Sequence, residues 1–163
     1  MASGDTLAEW TANGYEPPAA GYGTFAIVND QPVLTFDAST QELVYVADVL
    51  SSAYSGGGVT LTVIWTSASA TSGDCFWAAE IERQAVGHDI LTDSFAGSQT
   101  VVATAPSAAG DLVYSTISFT HGAQMDSLAV DERFRVSLWR SAAHGSDTMA
   151  GDARLVHLLL TET

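Results

Sequence analysis

The chain has 163 residues, of which 47% are apolar and 15% charged. That length and that apolar share fit one domain with a real core and exclude a disordered acidic tail. Nineteen acidic residues stand against five arginines and no lysine, a formal net charge of −14. This argues against nucleic acid as a partner, which needs a cationic patch, and against an anionic membrane surface.

Residues 1–31 differ in texture from the rest. Trp10, Tyr15, Pro17, Pro18, Gly21, Tyr22 and Gly23 are mixed with small polar residues. Paired prolines remove amide donors and keep the chain extended. The expectation is an extended N-terminal arm with one short strand at 24–28. Exposed Trp and Tyr are costly and interface-prone, so Trp10, Tyr15 and Tyr22 are the expected contact residues, against the same domain or a neighbour.

From residue 32 strand signals follow at short intervals. Residues 32–36 and 42–47 are the first two strands, with a turn at 37–40. Three glycines, Gly56 to Gly58, lead into the most regular stretch of the chain, 59–66. There Val59, Leu61, Val63 and Trp65 alternate with Thr60, Thr62 and Thr66, with Ile64 as the apolar exception. Such period-two alternation marks a strand with one face in a core. The next strand, 75–83, turns Cys75, Trp77, Ala79 and Ile81 inward, and Phe76, Ala78, Glu80 and Glu82 outward. Residues 84–98 read as a long connection, with a helical turn at 92–96. Strand 99–105 stops at Pro106. Strand 112–120 turns Val113, Ile117 and Phe119 inward. A second helical turn is expected near 125–128, followed by strand 133–140 with Phe134, Val136 and Leu138 inward. A loop over 142–151 leads to the last strand, 153–161. Gly-Asp precedes a strand three times, at 73–74, 110–111 and 151–152, as a local turn signal.

Eight strands after the arm, in two sheets, predict an all-β antiparallel β-sandwich of jelly-roll topology over 32–163. That topology places strand 59–66 between 112–120 and 153–161. It also places strand 133–140 between 42–47 and 75–83. A seven-strand immunoglobulin-like sandwich is the alternative.

Candidate chemistry is sparse. Cys75 is the only cysteine, so no internal disulfide forms. It reads as a small buried apolar side chain, not a thiol nucleophile. Glu80 and Glu82 share a strand face at a separation near that of a glycosidase pair, but also fit an acidic solvent-facing strip. His88, His121, His144 and His157 lack zinc spacing. Asp147 with Asp152, and Asp89 with Asp93, lie in acidic loops that do not match a calcium loop. No nucleophile elbow and no phosphate-cradling glycine loop precedes a helix. The expectation is no enzyme, no cofactor and no metal. The N-terminus has no signal-peptide pattern, and 155–160 is too short to span a bilayer.

Several runs together carry a resemblance: 10–18, 32–37, 56–65, 72–74, Asp93-Ser-Phe-Ala96 with Gln99-Thr100, 126–128, 133–140 and 151–155. With these the chain resembles a family of short acidic structural proteins of tailed bacteriophages and prophages. Those proteins are similar to jelly-roll cement, or decoration, proteins that sit as trimers on capsids. Val130-Asp131-Glu132 stands where that family more usually has small-Gly-Glu, and Asp tolerates left-handed turns. The resemblance implies a virion protein on the capsid exterior, made in the host cytoplasm. It would be a homotrimer bridging the major capsid protein through Trp10, Tyr15 and Tyr22, with no nucleic acid or membrane partner. The alternative is a tail or baseplate module that recognises host surface glycans through outward aromatics on a concave sheet face, with Phe76 and Trp139 as candidates. A hydrolase is a third reading, without a visible site.

Overall fold

The computed structural model describes residues 4–163. Ten strands form two antiparallel sheets. They are β1 (Thr6–Thr11), β2 (Thr24–Val28), β3 (Gln31–Phe36), β4 (Glu42–Val49), β5 (Val59–Ser67), β6 (Asp74–Gln84), β7 (Gln99–Thr104), β8 (Val113–Phe119), β9 (Arg133–Arg140) and β10 (Ala153–Glu162). One sheet runs β2-β3-β10-β5-β8, with β1 also paired to β10; the other runs β4-β9-β6-β7. The glycine-led strand β5 thus lies between β8 and β10, and β9 lies between β4 and β6, as the jelly-roll reading requires.

The alternation seen in β5 is realised in packing. Val59, Leu61, Val63 and Trp65 are fully buried. Trp65 meets Trp77 edge-on at 5.9 Å between ring centroids, and Trp77 meets Phe36 at 5.1 Å. These three rings knit the sheets together, and such pairs add to the stabilisation from area burial. The Trp65 indole N–H donates to Ser115 Oγ at 3.0 Å, so its burial leaves no donor orphaned. Gly58 starts β5 at φ +94, and a Cβ there would stand 2.6 Å from the Phe119 carbonyl oxygen. Only glycine fits both the backbone angle and the close approach of β8.

The arm is woven into the sandwich. Strand β1, which the sequence pattern did not reveal, pairs with the second half of β10, while β3 takes the first half. Residues 16 and 22 then bridge Tyr45 and Leu43 along the free edge of β4. Covering an edge in this way removes an exposed row of unpaired amides and carbonyls. Two further differences concern helical turns. Residues 92–96 are irregular, because Ala96 N–H donates to the Ile81 carbonyl and Ser94 N–H to Glu82, drawing the backbone into outward bonds. The later turn lies at Ala123–Met125. Asp131 sits at φ +61, the left-handed region that Asp tolerates.

Candidate functional site

The outer face of the four-stranded sheet gathers most of the unusual side chains. Register sets them in rows across β4, β9 and β6: Leu43, Trp139 and Ala78; Tyr45, Ser137 and Glu80; Ala47, Arg135 and Glu82; Val49, Arg133 and Gln84. Phe76, two residues before Ala78, lies one row beyond Trp139. Phe76, Trp139 and Tyr45 therefore form a diagonal over three adjacent strands, with steps of about 7–8 Å.

The three rings differ in their surroundings. Phe76 stacks on His144 at 3.9 Å and 24°. Tyr45 stacks on Phe95 at 5.8 Å and 16°, with the Arg135 guanidinium 4.2 Å from the Tyr45 ring centre. Trp139 lies between these two buttressed pairs, half-exposed, and its indole N–H has no hydrogen bond among the described residues. Across from it on the two flanking strands stand Leu43 and the small Ala78.

Loop 85–98 straps the lower half of this face. Glu82 anchors it: the carboxylate, shut off from solvent, accepts from Ser94 N–H at 2.7 Å, Gln84 Nε2 at 3.0 Å and Arg135 Nη1 at 3.3 Å, with His88 Nε2 at 3.7 Å. Arg135 also reaches Asp93 at 3.2 Å. Between this loop and Glu16 of the arm opens a cleft of about 610 Å³, lined by Gln84, His88, Ile90, Asp93, Arg133 and Arg135 among others. Arginines and carboxylates alternate along it, so the cleft favours neither a strongly anionic nor a cationic ligand.

Glu80 and Glu82 lie on one face of β6, but Glu82 is committed to holding the loop. Glu80 is half-buried, and burial, with Asp93 and Glu82 adding to it, holds its pKa above the usual carboxylate range. A glycosidase pair needs both groups open to the substrate, and Glu82 is not. Cys75 is buried, and burial pushes its thiol far up. Asp147 pairs with Arg140, Asp152 accepts from Ala38 N–H, and Asp89 accepts from Leu91 N–H. Among the described residues no three His, Cys, Asp or Glu side chains come together as metal ligands. His121 bonds Tyr54 OH at 2.9 Å, and His157 lies 3.4 Å from Glu9.

Trp10 and Tyr15, the expected interface residues, are 7% exposed each and belong to the domain's own core. Trp10 donates to the Ala47 carbonyl and meets Phe134 edge-on. Tyr22 packs partly against the same core. Their apolar faces are used within the chain, so Trp10 and Tyr15 have little left to offer a neighbouring subunit.

The shifted carboxylates predict a two-sided pH dependence. Burial raises Glu80 and Glu42. Their contribution is full below the unfolded value and is lost as pH rises through the raised folded value. Hydrogen bonds from Arg83, Ser55 and Ser39 lower Glu132, Glu162 and Asp37. Those contributions are present at neutral pH and are lost as pH falls through the lowered values. Mild acid also relieves the self-repulsion of a −14 chain. The melting temperature is expected to rise on going from pH 7 towards about 5 and to fall below about 4. A melting temperature that drops steadily from pH 7 downward would contradict this balance.

No protein-family model and no curated protein matches the chain. Solved structures do. The xylan-binding module CBM15 aligns at TM-score 0.51 and 10% identity, over 96% of this chain and 97% of that one. TmCBM61 in complex with β-1,4-galactotriose aligns at 0.47 and 7%, over 94% and 91%. The mannan-recognising carbohydrate-binding module TmCBM27 aligns at 0.43 and 10%, over 99% of each. The likeness to CBM15 shows a shared β-sandwich fold. The likeness to the xylan-binding module CBM15, over nearly all of both chains, overturns the expected capsid cement protein, bound as a homotrimer to a major capsid protein. The burial of Trp10 and Tyr15 removes the contact through which it was to act.

Proposed function

We propose that this chain is a non-catalytic glycan-binding module that holds a neutral saccharide on the outer face of its four-stranded sheet. One observation carries this: Trp139 lies partly exposed between two buttressed aromatic pairs, on a face that continues into a polar cleft. An aromatic ring gives the apolar face of a pyranose a flat, rigid partner at small entropic cost. Gln84, His88 and Arg133 along the cleft supply hydrogen bonds to hydroxyls, which fix orientation. No group on this face is placed to break a glycosidic bond, because the buried Glu82 is bound to its own loop. The sandwich shared with the xylan-binding module CBM15 supports a saccharide ligand. Together with the resemblance to tailed-phage structural proteins, this favours a tail or baseplate module that recognises host surface glycans.

Affinity electrophoresis against neutral polysaccharides, including xylan, mannan and galactan, tests the proposal. Retardation by at least one of them is expected, with amide shifts on titration centred on β6 and β9 and no release of reducing sugar. Failure of every polysaccharide to retard the chain, or shifts confined to other surfaces, would sink it.

A further inference from the structure

The other sheet carries a second cleft, of about 240 Å³, on its outer face. Its floor is built from β3, β5 and β10: Val33, Thr66, Arg154 and Val156, with Asn29 and Gln31 at its β2–β3 end and Gly110 and Leu112 also lining it. Two local features shape it. Asn29 and Asp30 turn the β2–β3 hairpin with φ of +46 and +64, the tight hairpin geometry such residues favour. The register of β10 against β5 shifts between Leu155 and His157. Val156 faces outward with Arg154 by the alternation of the strand, and the bulge lets Leu155 and Leu158 both stay in the core.

Arg154 is the unusual member. Arg83, Arg135 and Arg140 each hold a carboxylate. Arg133 has none but is exposed to water. Arg154 is half-buried, makes no hydrogen bond or ion pair among the described residues, and keeps its Nε–H shut off from solvent without an acceptor. Buried polar groups are nearly always satisfied, so a guanidinium that lines a cleft with no acceptor for its donors points to a missing one, within reach of the Nη groups, which are not shut off as Nε is. No carboxylate lines this cleft, in contrast to the cleft on the opposite face.

We infer that this cleft is a second ligand site, and that it takes the carboxylate of a single uronic acid residue on Arg154. The planar guanidinium fork matches a carboxylate in a bidentate way. Val33 and Val156 give the C–H face of a sugar ring an apolar floor, and Asn29, Gln31 and Thr66 reach its hydroxyls. A bare inorganic anion would have no use for that floor. The volume lies below the roughly 300–1,000 Å³ of sites for larger ligands, so it admits one ring and not a chain. The charge of the whole molecule opposes densely charged glycans. At physiological salt that repulsion is screened beyond about 8 Å, leaving the contact with Arg154 to decide for a ligand with one charge.

The test uses the full chain at physiological salt, titrated with glucuronate and galacturonate, with glucose as neutral control and sulfate as bare anion. Saturable binding of a uronate is expected, with displacement of the Arg154 Nε–H resonance, and no such displacement by glucose. Arg154→Met is expected to weaken uronate binding by at least about tenfold, the size of one lost charge-assisted pair. The same variant should hold the melting temperature or raise it by a few degrees, because it removes an unpartnered buried donor. Arg154→Lys keeps the charge, loses the fork, and should fall between the two. Trp139→Ala should leave uronate binding unchanged, so failure here is separate from failure of the neutral-glycan site. Several outcomes would overturn the inference: no uronate binding, binding that survives Arg154→Met, glucose binding equally well, sulfate alone binding as well as a uronate, or a marked loss of stability in Arg154→Met.

Discussion

Replacing Asp147 with alanine is expected to lower stability by about 3–5 kcal/mol, the cost of stranding one member of a buried ion pair. Strand β9 turns Phe134, Val136 and Leu138 into the core, and the same phase turns Arg140 inward at its end, fully buried. Asp147 meets it with both oxygens, at 2.7 Å to Nη2 and 2.9 Å to Nε. Arg140 gives two further N–H donors to the carbonyls of Met149 and Gly151, each at 2.8 Å. Asp147 Oδ2 also accepts from Phe76 N–H at 2.9 Å. Alanine would leave a buried guanidinium without its counter-charge and the Phe76 amide without an acceptor. Urea denaturation measures the loss, which in a chain of this size should lower the melting temperature by about 10 °C. The double variant Arg140→Met with Asp147→Leu should regain much of it, since two apolar groups leave nothing stranded. A loss below about 1 kcal/mol in the single variant would mean that water or a rearranged loop solvates Arg140. The same pair matters to the proposed site, because loop 141–151 brings His144 onto Phe76.

Period-two patterning made most of the sandwich legible. Inward and outward positions on β5, β6, β8 and β9 follow directly from residue type, and pairing order follows from the jelly-roll count. Strand β1 escaped because Leu7, Ala8 and Trp10 sit among small polar residues in too short a run to show a period. The helical turn expected at 92–96 gives way to long-range hydrogen bonds to β6, and the one expected at 125–128 lies earlier, at Ala123–Met125, because Asp126 and Ser127 take positive φ and end it. Of the site, Phe76 and Trp139 were visible as outward aromatics on adjacent strands. Phe95 was not, because its partner Tyr45 lies 50 residues away and its backbone is irregular. The role of Glu82 was hidden for the same reason: an outward glutamate looks solvated until a loop is known to cover it. Arg154 and Val156 share a face by simple alternation, but the bulge that lets Leu155 and Leu158 both face inward leaves no mark in residue type. Function was least legible, since an acid-covered sandwich suits a capsid surface and a glycan binder alike until the outer faces are seen.

Trp139→Ala is expected to weaken neutral-glycan binding by about 1.5–3 kcal/mol, or roughly ten- to a hundredfold, the range for truncating a central aromatic anchor. Stability should change far less, because Trp139 points away from the core that Leu138 and Arg140 enter. Trp139→Phe keeps a ring but loses the indole N–H, and should retain part of the affinity. Phe76→Ala should have a smaller effect than Trp139→Ala, since Phe76 already spends one face on His144. Tyr45→Ala would mix two causes, because Tyr45 also supports Phe95 and Arg135. It serves as a test of the strap, read out by loosening of residues 85–98 in hydrogen exchange. Calorimetric titration of the retained polysaccharide, or of an oligosaccharide from it, separates these outcomes. If Trp139→Ala binds as tightly as the parent chain while Phe76→Ala does not, the anchor lies elsewhere on the face. If neither variant alters binding, the saccharide does not use the diagonal of rings, and the cleft under loop 85–98 would have to hold it by hydrogen bonds alone.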